Sequence, residues 1–404
     1  MDIDQDSIVW HRVVDVNDRH LREITIGQAS TEKCMNRKTQ FDISVASELM
    51  AILALSNNLS DVKQRIAKTV IGFSRHDPPR PVTIDDLGVT GAATVLLKDA
   101  VKPTLIQTLE GTPCLVHCGP FANIAHGNSS IIADRIGLDL VGKDGFVVTE
   151  AGFGADIGLE KFINIKSRAS KMPVNCAVLV STVRALKNHG GGPPVTPGGI
   201  LAREYKEENL ELLEKGLVNL KAHIENICYL GLPVVVAINR FTTDTQRELE
   251  LVKEKVLKFG AFDACISNNW AEGGTGSVDL ANAVIRACKE NKVQLKLSYS
   301  DEESLKTKIE TIAKNIYRAD NVVYEDKAEK RLELYERLGY GKLPVCISKT
   351  QLSISHDSAL KGAPSGYTFP IKDVRLSAGA GFVYPLAGDV SFIYKEKLKN
   401  LIFI

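Results

Sequence analysis

The chain has 404 residues, 44% of them hydrophobic and 25% charged, and its 50 Lys and Arg against 49 Asp and Glu give a formal charge of +1. That length buries a large core and divides into two or three domains, while so balanced a charge sets up no summed field for a nucleic acid or an anionic membrane, so neither is expected as a partner. No run approaches the roughly 18 apolar residues of a membrane span, and the eight cysteines form no CxxC pair, which suits a soluble protein of a reducing compartment.

The first residues, MDIDQDSIVWHR, are acidic and carry no signal-like apolar core, so the cytosol is the expected location. So abrupt a start suits a chain cut from something longer. Val45 to Ser56 reads as a mostly apolar helix, and a second helix starts at Ser60, with Val62, Ile66 and Val70 on one face. Both are expected to pack against a sheet. Pro78, Pro79 and Pro81 interrupt the pattern before a short helix from Gly91.

Nearly unbroken apolar runs follow at Cys114 to His117, Phe146 to Thr149, Ala177 to Ser181 and Pro233 to Ile238. Runs of that kind predict strands buried on both faces, hence a parallel sheet sandwiched by helices. Between the last two, Leu210, Leu213, Leu217, Leu220, Ile224 and Ile227 recur at helical steps, and Gly231 is placed to end that helix. Thr245 and Glu248 form a capping box for the next helix, which Gly260 closes, and another carries Leu305, Ile309, Ile312 and Ile316. Residues 188–199, NHGGGPPVTPGG, form a surface loop. From about Lys292 the composition shifts to charged helices and then to a β-rich tail with KLPVCISKT, YTFPIKDVRL and GFVYPLAGDV, read as a separate domain. The ending YKEKLKNLIFI departs from that pattern.

Several strand ends carry polar or reactive residues. In VVTEAGFGADIG, Glu150 follows an apolar run, with Gly152, Gly154 and Gly158 and the acid Asp156 beyond it. An acid at such a place holds Mg²⁺ or its water shell in sheet-based nucleotide enzymes, and glycines admit backbone amides to a phosphate; a tight structural turn is the alternative. Arg184 and Lys187 leave the end of the next strand, where cations suit an anionic substrate. Lys187 fits better as a solvated charge on a first helical turn. Asn239 to Thr245 follow the strand after that, at the edge where open α/β sheets bind ligands.

Phe241, in the polar run NRFTTDT, and Trp270, in NNWAEGGTG after the short strand FDACIS, have nothing local to bury against. Together they could form a stacking slot for a flat heterocycle; the alternative is that each plugs its own domain. His117 and His126 flank the turn GPFAN and read more readily as structural groups than as proton shuttles. Alternation along a strand would turn Cys114 and Cys118 to one face and His117 to the other, which argues against a metal site there. No nucleophile elbow is present, so covalent catalysis is not indicated.

The segments VDVNDRHLR, FDISVASELMAI, LIQTLEGTP, VHCGPFANIAHGNSSIIADR, FVVTEAGFGADIGLEKF, TVRALK, NRFTTDT and KTQLSISHD occur in order along nearly the whole chain. They resemble formate-tetrahydrofolate ligase, above all the synthetase region of the eukaryotic C1-tetrahydrofolate synthases. The resemblance implies a P-loop NTPase-like, mostly parallel sheet flanked by helices, without its amino-terminal part, over residues 1–290. A smaller α+β carboxy-terminal domain would occupy 291–404. It also implies a reaction of one-carbon metabolism: formate attacks the terminal phosphate of ATP, and N10 of tetrahydrofolate captures the formyl group from formyl phosphate. ATP, formate and tetrahydrofolate are then the substrates, Mg²⁺ accompanies ATP, and the protein is expected to be a homo-oligomer of the cytosol or the mitochondrion.

In the family the pterin stacks between two aromatics, and the matching positions here are Phe241 and Trp270. Arg184 and Glu150 are the candidate catalytic residues, and Gly152, Gly154, Asp156 and Asn239 the candidates for the nucleotide and phosphate region. No GxxxxGK[ST] phosphate loop occurs in the sequence. Since that loop cradles the transferred phosphoryl group in the family, a truncated, weakly active or inactive form is expected. Beyond Gly388 and Asp389 the chain also turns away from the family's Met- and Pro-rich loop, which bears on folate affinity. The rival reading is a catalytically silent binding or assembly protein that keeps the family fold.

Overall fold

The computed structural model describes residues 1–388 apart from 17, 33–35 and 197. Cys34 and the divergent ending therefore lie outside the described residues. The centre of the fold is a three-stranded sheet of β1 (Ala177–Ser181), β2 (Val234–Asn239) and β3 (Asp263–Ser267). All pairs are parallel and the order is β3-β2-β1. Parallel neighbours need long crossovers. Those between them carry α1 (Val183–His189), α2 (Leu210–Tyr229) and α3 (Gln246–Lys258), and α4 (Val278–Glu290) follows β3.

Alternation along each strand divides the packing between two faces. Val234, Val236 and Ile238 of β2 share a core with Leu213, Leu217, Leu220, Ile224 and Ile227 of α2 and Leu249, Val252 and Val256 of α3. Val235 faces the other way and clusters with Cys265, Ala283 and Ala287, which seats α4 on the opposite side. Every residue from Val234 to Ile238 is buried, as an unbroken apolar run predicts. β1 differs: as the edge strand it leaves Val178 41% and Val180 64% exposed, because α4 packs against β2 and β3.

The sheet is smaller than the apolar runs predict. Pro113–Val116 pairs antiparallel with Thr104–Gln107 as a separate hairpin, and residues 146–149 form no strand. Val148 of that run is 88% exposed. Apolarity specifies burial or pairing without naming the partner, and Val147 instead lies against Gly137 of the helix Ile131–Val141. The early helices Glu48–Leu55 and Leu59–Lys68 contribute to neither core of the central sheet and pack instead beside the strand Phe382–Leu386. Their Ile52, Leu55, Val62 and Ile66 pack with Ile165, Cys346 and Phe382.

Beyond residue 300, the helices Leu305–Asn315 and Asp326–Arg337 share a core with the parallel pair Asn321–Tyr324 and Thr368–Ile371 and the antiparallel pair Asp373–Ser377 and Phe382–Leu386. KLPVCISKT adds Val345 and Ile347 to that core and pairs with its last strand through bridges at Val345 and Ser348. The same cluster takes in Val70, Phe73 and Ala222 of α2.

α1 and α2 approach through glycine. A Cβ on Gly216 would stand 1.8 Å from the Leu186 carbonyl oxygen, and neither backbone can yield without moving a helix. Gly216→Ala is expected to cost at least about 2 kcal/mol of stability, read as a lowered urea midpoint. A midpoint equal to that of the parent protein would show that the two helices are not held this closely.

Candidate functional site

The register of the sheet sets the site. Asn239, the last residue of β2, lies opposite Ser267, the last of β3, and the Arg240 amide donates to the Ser267 carbonyl at 3.0 Å. The loops that carry Phe241 and Trp270 therefore leave the same carboxyl edge side by side, where open α/β sheets hold ligands.

The first loop is closed on itself. The Phe241 amide donates to Asp244 Oδ2 at 2.8 Å, and the Asp244 amide returns to the Phe241 carbonyl at 3.0 Å. Burial raises the Asp244 carboxyl, although the Phe241 amide and Arg184 oppose that shift. Thr245 then caps α3 in the expected capping box with Glu248. In the second loop, Ser267 Oγ donates to Asn269 Oδ1 at 3.0 Å and the Asn268 amide to the Gly276 carbonyl, also at 3.0 Å. Trp270, in the short helix Asn269–Glu272, is 79% exposed, so it plugs no core.

Arg184 lies in the first turn of α1, whose cap is Thr182. Its Nη2 donates to Thr243 Oγ1 at 3.2 Å and its guanidinium carbon sits 4.1 Å from the centre of the Phe241 ring. Arg184 and Phe241 are in contact beyond the carboxyl ends of β1 and β2, Asn239 ends β2, and Trp270 follows the end of the neighbouring β3. Lys187 is a correction: it is buried rather than solvated, with Nζ 2.6 Å from Glu248 Oε1 and donating to the Glu207 carbonyl at 2.7 Å.

The glycine segment lies elsewhere in character. Glu150 is exposed on an irregular stretch, not at a strand end. The Gly152 amide donates to the Gly127 carbonyl at 2.9 Å, and a Cβ on Gly154 would meet Asp156 Oδ1 at 2.6 Å and His223 at 2.9 Å. These glycines permit close internal packing. Asp156 is buried, with Lys349 Nζ 2.7 Å from its Oδ2 and His223 Nδ1 3.7 Å from its Oδ1. Burial alone would raise its carboxyl, but Lys349 and His223 outweigh that and hold it below the usual carboxylate range. Spacing gave no sign of this pair, although Lys349 belongs to the segment KTQLSISHD.

Nearby, Glu160 is fully buried, accepts from Asn164 Nδ2 at 2.7 Å, and is pushed by burial up to about 7. His117 has both ring nitrogens engaged, with Ser130 Oγ at 2.6 Å and the Ala100 carbonyl at 2.7 Å, the structural arrangement expected of it. His126 is completely buried with neither nitrogen partnered among the described residues, and burial beside Lys166, Lys161 and Arg65 pushes it down to about 3. Among the described residues no group of three or more His, Cys, Asp and Glu is placed to hold a metal ion.

Three parallel strands with helices in their crossovers, and Arg184, Asn239, Phe241 and Trp270 at or just beyond their carboxyl ends, make the centre of this chain an α/β fold. The chain belongs to the formate-tetrahydrofolate ligase family, which matches residues 1–394. It is 57% identical over 391 residues to a formate-tetrahydrofolate ligase of Arabidopsis thaliana, covering 97% of this chain and 61% of the relative. To the cytoplasmic C-1-tetrahydrofolate synthase of Homo sapiens it is 56% identical over 391 residues, 42% of that protein. To the mitochondrial monofunctional C1-tetrahydrofolate synthase of Bos taurus it is 56% identical over 392 residues, 40% of that protein. The chain thus spans about three-fifths of the length of the plant relative and about two-fifths of the synthases.

Two outcomes are expected from the buried charges. Lys349→Met strands Asp156 in the interior and should cost about 3–5 kcal/mol in urea denaturation, whereas a neutral result would mean that water reaches the carboxylate. For Glu160 the folded value lies above the ordinary 4.5. The unfolded chain therefore releases this proton first, and the contribution, full below about 4.5, is lost as pH rises through about 7. Glu160→Gln should gain on the parent protein between pH 5 and pH 8 by on the order of 3 kcal/mol. A stability gap independent of pH would contradict the shift.

Proposed function

We propose that this chain serves the ATP-dependent ligation of formate to tetrahydrofolate, giving 10-formyltetrahydrofolate, ADP and phosphate through formyl phosphate in one-carbon metabolism. Family membership and the names of the relatives support the reaction. The observation that carries it to particular residues is the pairing of Asn239 with Ser267, which sends Phe241 and Trp270 into adjacent loops. In this reading the half-buried Phe241 and the exposed Trp270 flank the pterin, stacking being the contact a flat heterocycle makes best with aromatic rings. The sheet is read as part of a P-loop NTPase-like one, with 1–290 as the nucleotide and folate region and 291–404 as the carboxy-terminal domain.

Asn239 at the strand end and the exposed Glu150 remain candidates for the nucleotide side, Glu150 for a catalytic role. Gly152, Gly154 and Asp156 would serve there only as the packed support behind it. Mg²⁺ is proposed to arrive on the phosphates of ATP, which matches the habit of that ion. A homo-oligomer of the cytosol, or of the mitochondrion, completes the reading.

The rival, a catalytically silent binding or assembly protein, draws support from the Gly152 amide, which is donated to the Gly127 carbonyl at 2.9 Å rather than turned to a phosphate. Both readings retain the folate slot and differ in turnover: phosphate release that requires formate and tetrahydrofolate together sustains ligation, and none under any combination sustains the silent form. For the slot, tetrahydrofolate is expected to quench the fluorescence of Trp270 to saturation. Trp270→Ala should raise its Kd about tenfold or more, measured by calorimetry. An unchanged Kd would remove Trp270 from the site.

A further inference from the structure

We propose that Arg184 is a positioning and specificity-determining residue for the folate ring, acting through Phe241 rather than on an anion. The inference rests on the folate reading above and deepens it. Phe241 is fixed at its backbone by the two hydrogen bonds with Asp244, which leave its side-chain torsions free. Arg184 supplies a restraint on the ring. Its guanidinium lies over the ring at 4.1 Å, within the range of a cation–π contact, and is itself held by Thr243 Oγ1 at 3.2 Å. One face of the phenyl ring is thereby occupied. A ligand that stacks on Phe241 is left the other face, so the contact makes the ring one-sided.

The charge has a second effect. A cation on one face of a benzene ring draws π density toward itself and leaves the opposite face poorer in electrons. Such a face stacks better on an electron-rich ring than on an electron-poor one, because aromatic contacts follow the ring quadrupoles. The tetrahydropterin, whose pyrimidinone carries amino and amine donors, is the electron-rich case, and the fully oxidised pterin of folic acid is the electron-poor one. Arg184 accordingly favours the reduced ligand. A hydrated ammonium in its place would keep the charge but lose the planar stack and the fork that reaches Thr243.

The test compares the 404-residue protein with Arg184→Gln, Arg184→Lys and Phe241→Leu. In the free protein, the Arg184 side-chain protons should show an upfield ring-current shift that Phe241→Leu abolishes, read by NMR on arginine-labelled protein. By calorimetry, Arg184→Gln should weaken tetrahydrofolate about tenfold and folic acid much less, and Arg184→Lys should fall between. Absence of the upfield shift overturns the proposal. So does tetrahydrofolate affinity within twofold of the parent protein in Arg184→Gln, or an equal loss for the two ligands, and in these cases the folate reading survives. If the parent protein shows the shift but binds no tetrahydrofolate, the folate reading fails and this proposal falls with it.

Discussion

The parallel register that sets Asn239 against Ser267 governs everything downstream of it, because two loops that leave neighbouring strands at the same level have no other place to go. A shift of one residue would turn every side chain of β2 to the opposite face. Val234, Val236 and Ile238 would then leave the core they share with α2 and α3, and Val235 would leave α4. The apolar content of both layers thus fixes the register, and the register places Phe241 beside the loop of Trp270. Site geometry is inherited from core packing.

Around this frame the molecule buries an unusual amount of charge. Lys187 with Glu248 closes the junction of α1, α3 and residue 207, and Lys349 with Asp156 ties the carboxy-terminal region to the segment after the glycines. Each such pair is weak as a source of stability yet costly to break from one side. Their effect is to specify which surfaces meet. The 349–156 pair links residues nearly two hundred positions apart and, with Ala222 of α2 in the carboxy-terminal core, makes the two regions of the chain meet in a defined way.

Much of this was legible in the sequence because it is periodic or local. The leucine steps of α2, the box of Thr245 and Glu248, and the buried run of β2 need only near neighbours to be read. Phe241 and Trp270 stood out for lacking such neighbours. What escaped depends on partners distant in sequence. The run at 146–149 has the apolarity of a strand but no strand beside it, while Pro113–Val116 is the exception, a local hairpin with Thr104–Gln107 that apolarity alone does not distinguish from a sheet strand. Lys187 looked solvated because nothing near it in sequence reveals Glu248. Asp244, whose carboxylate closes the Phe241 turn, was detectable from its three-residue spacing, a known side-chain turn signal.

The most direct measurement of the central claim is a crystal structure of the chain soaked with tetrahydrofolate. The pterin should lie between the open face of Phe241 and the indole of Trp270, at stacking distance from both, with Arg184 on the far side of the phenyl ring. A pterin bound away from the carboxyl edge of β2 and β3, or one that displaces Arg184 from the ring, would contradict it.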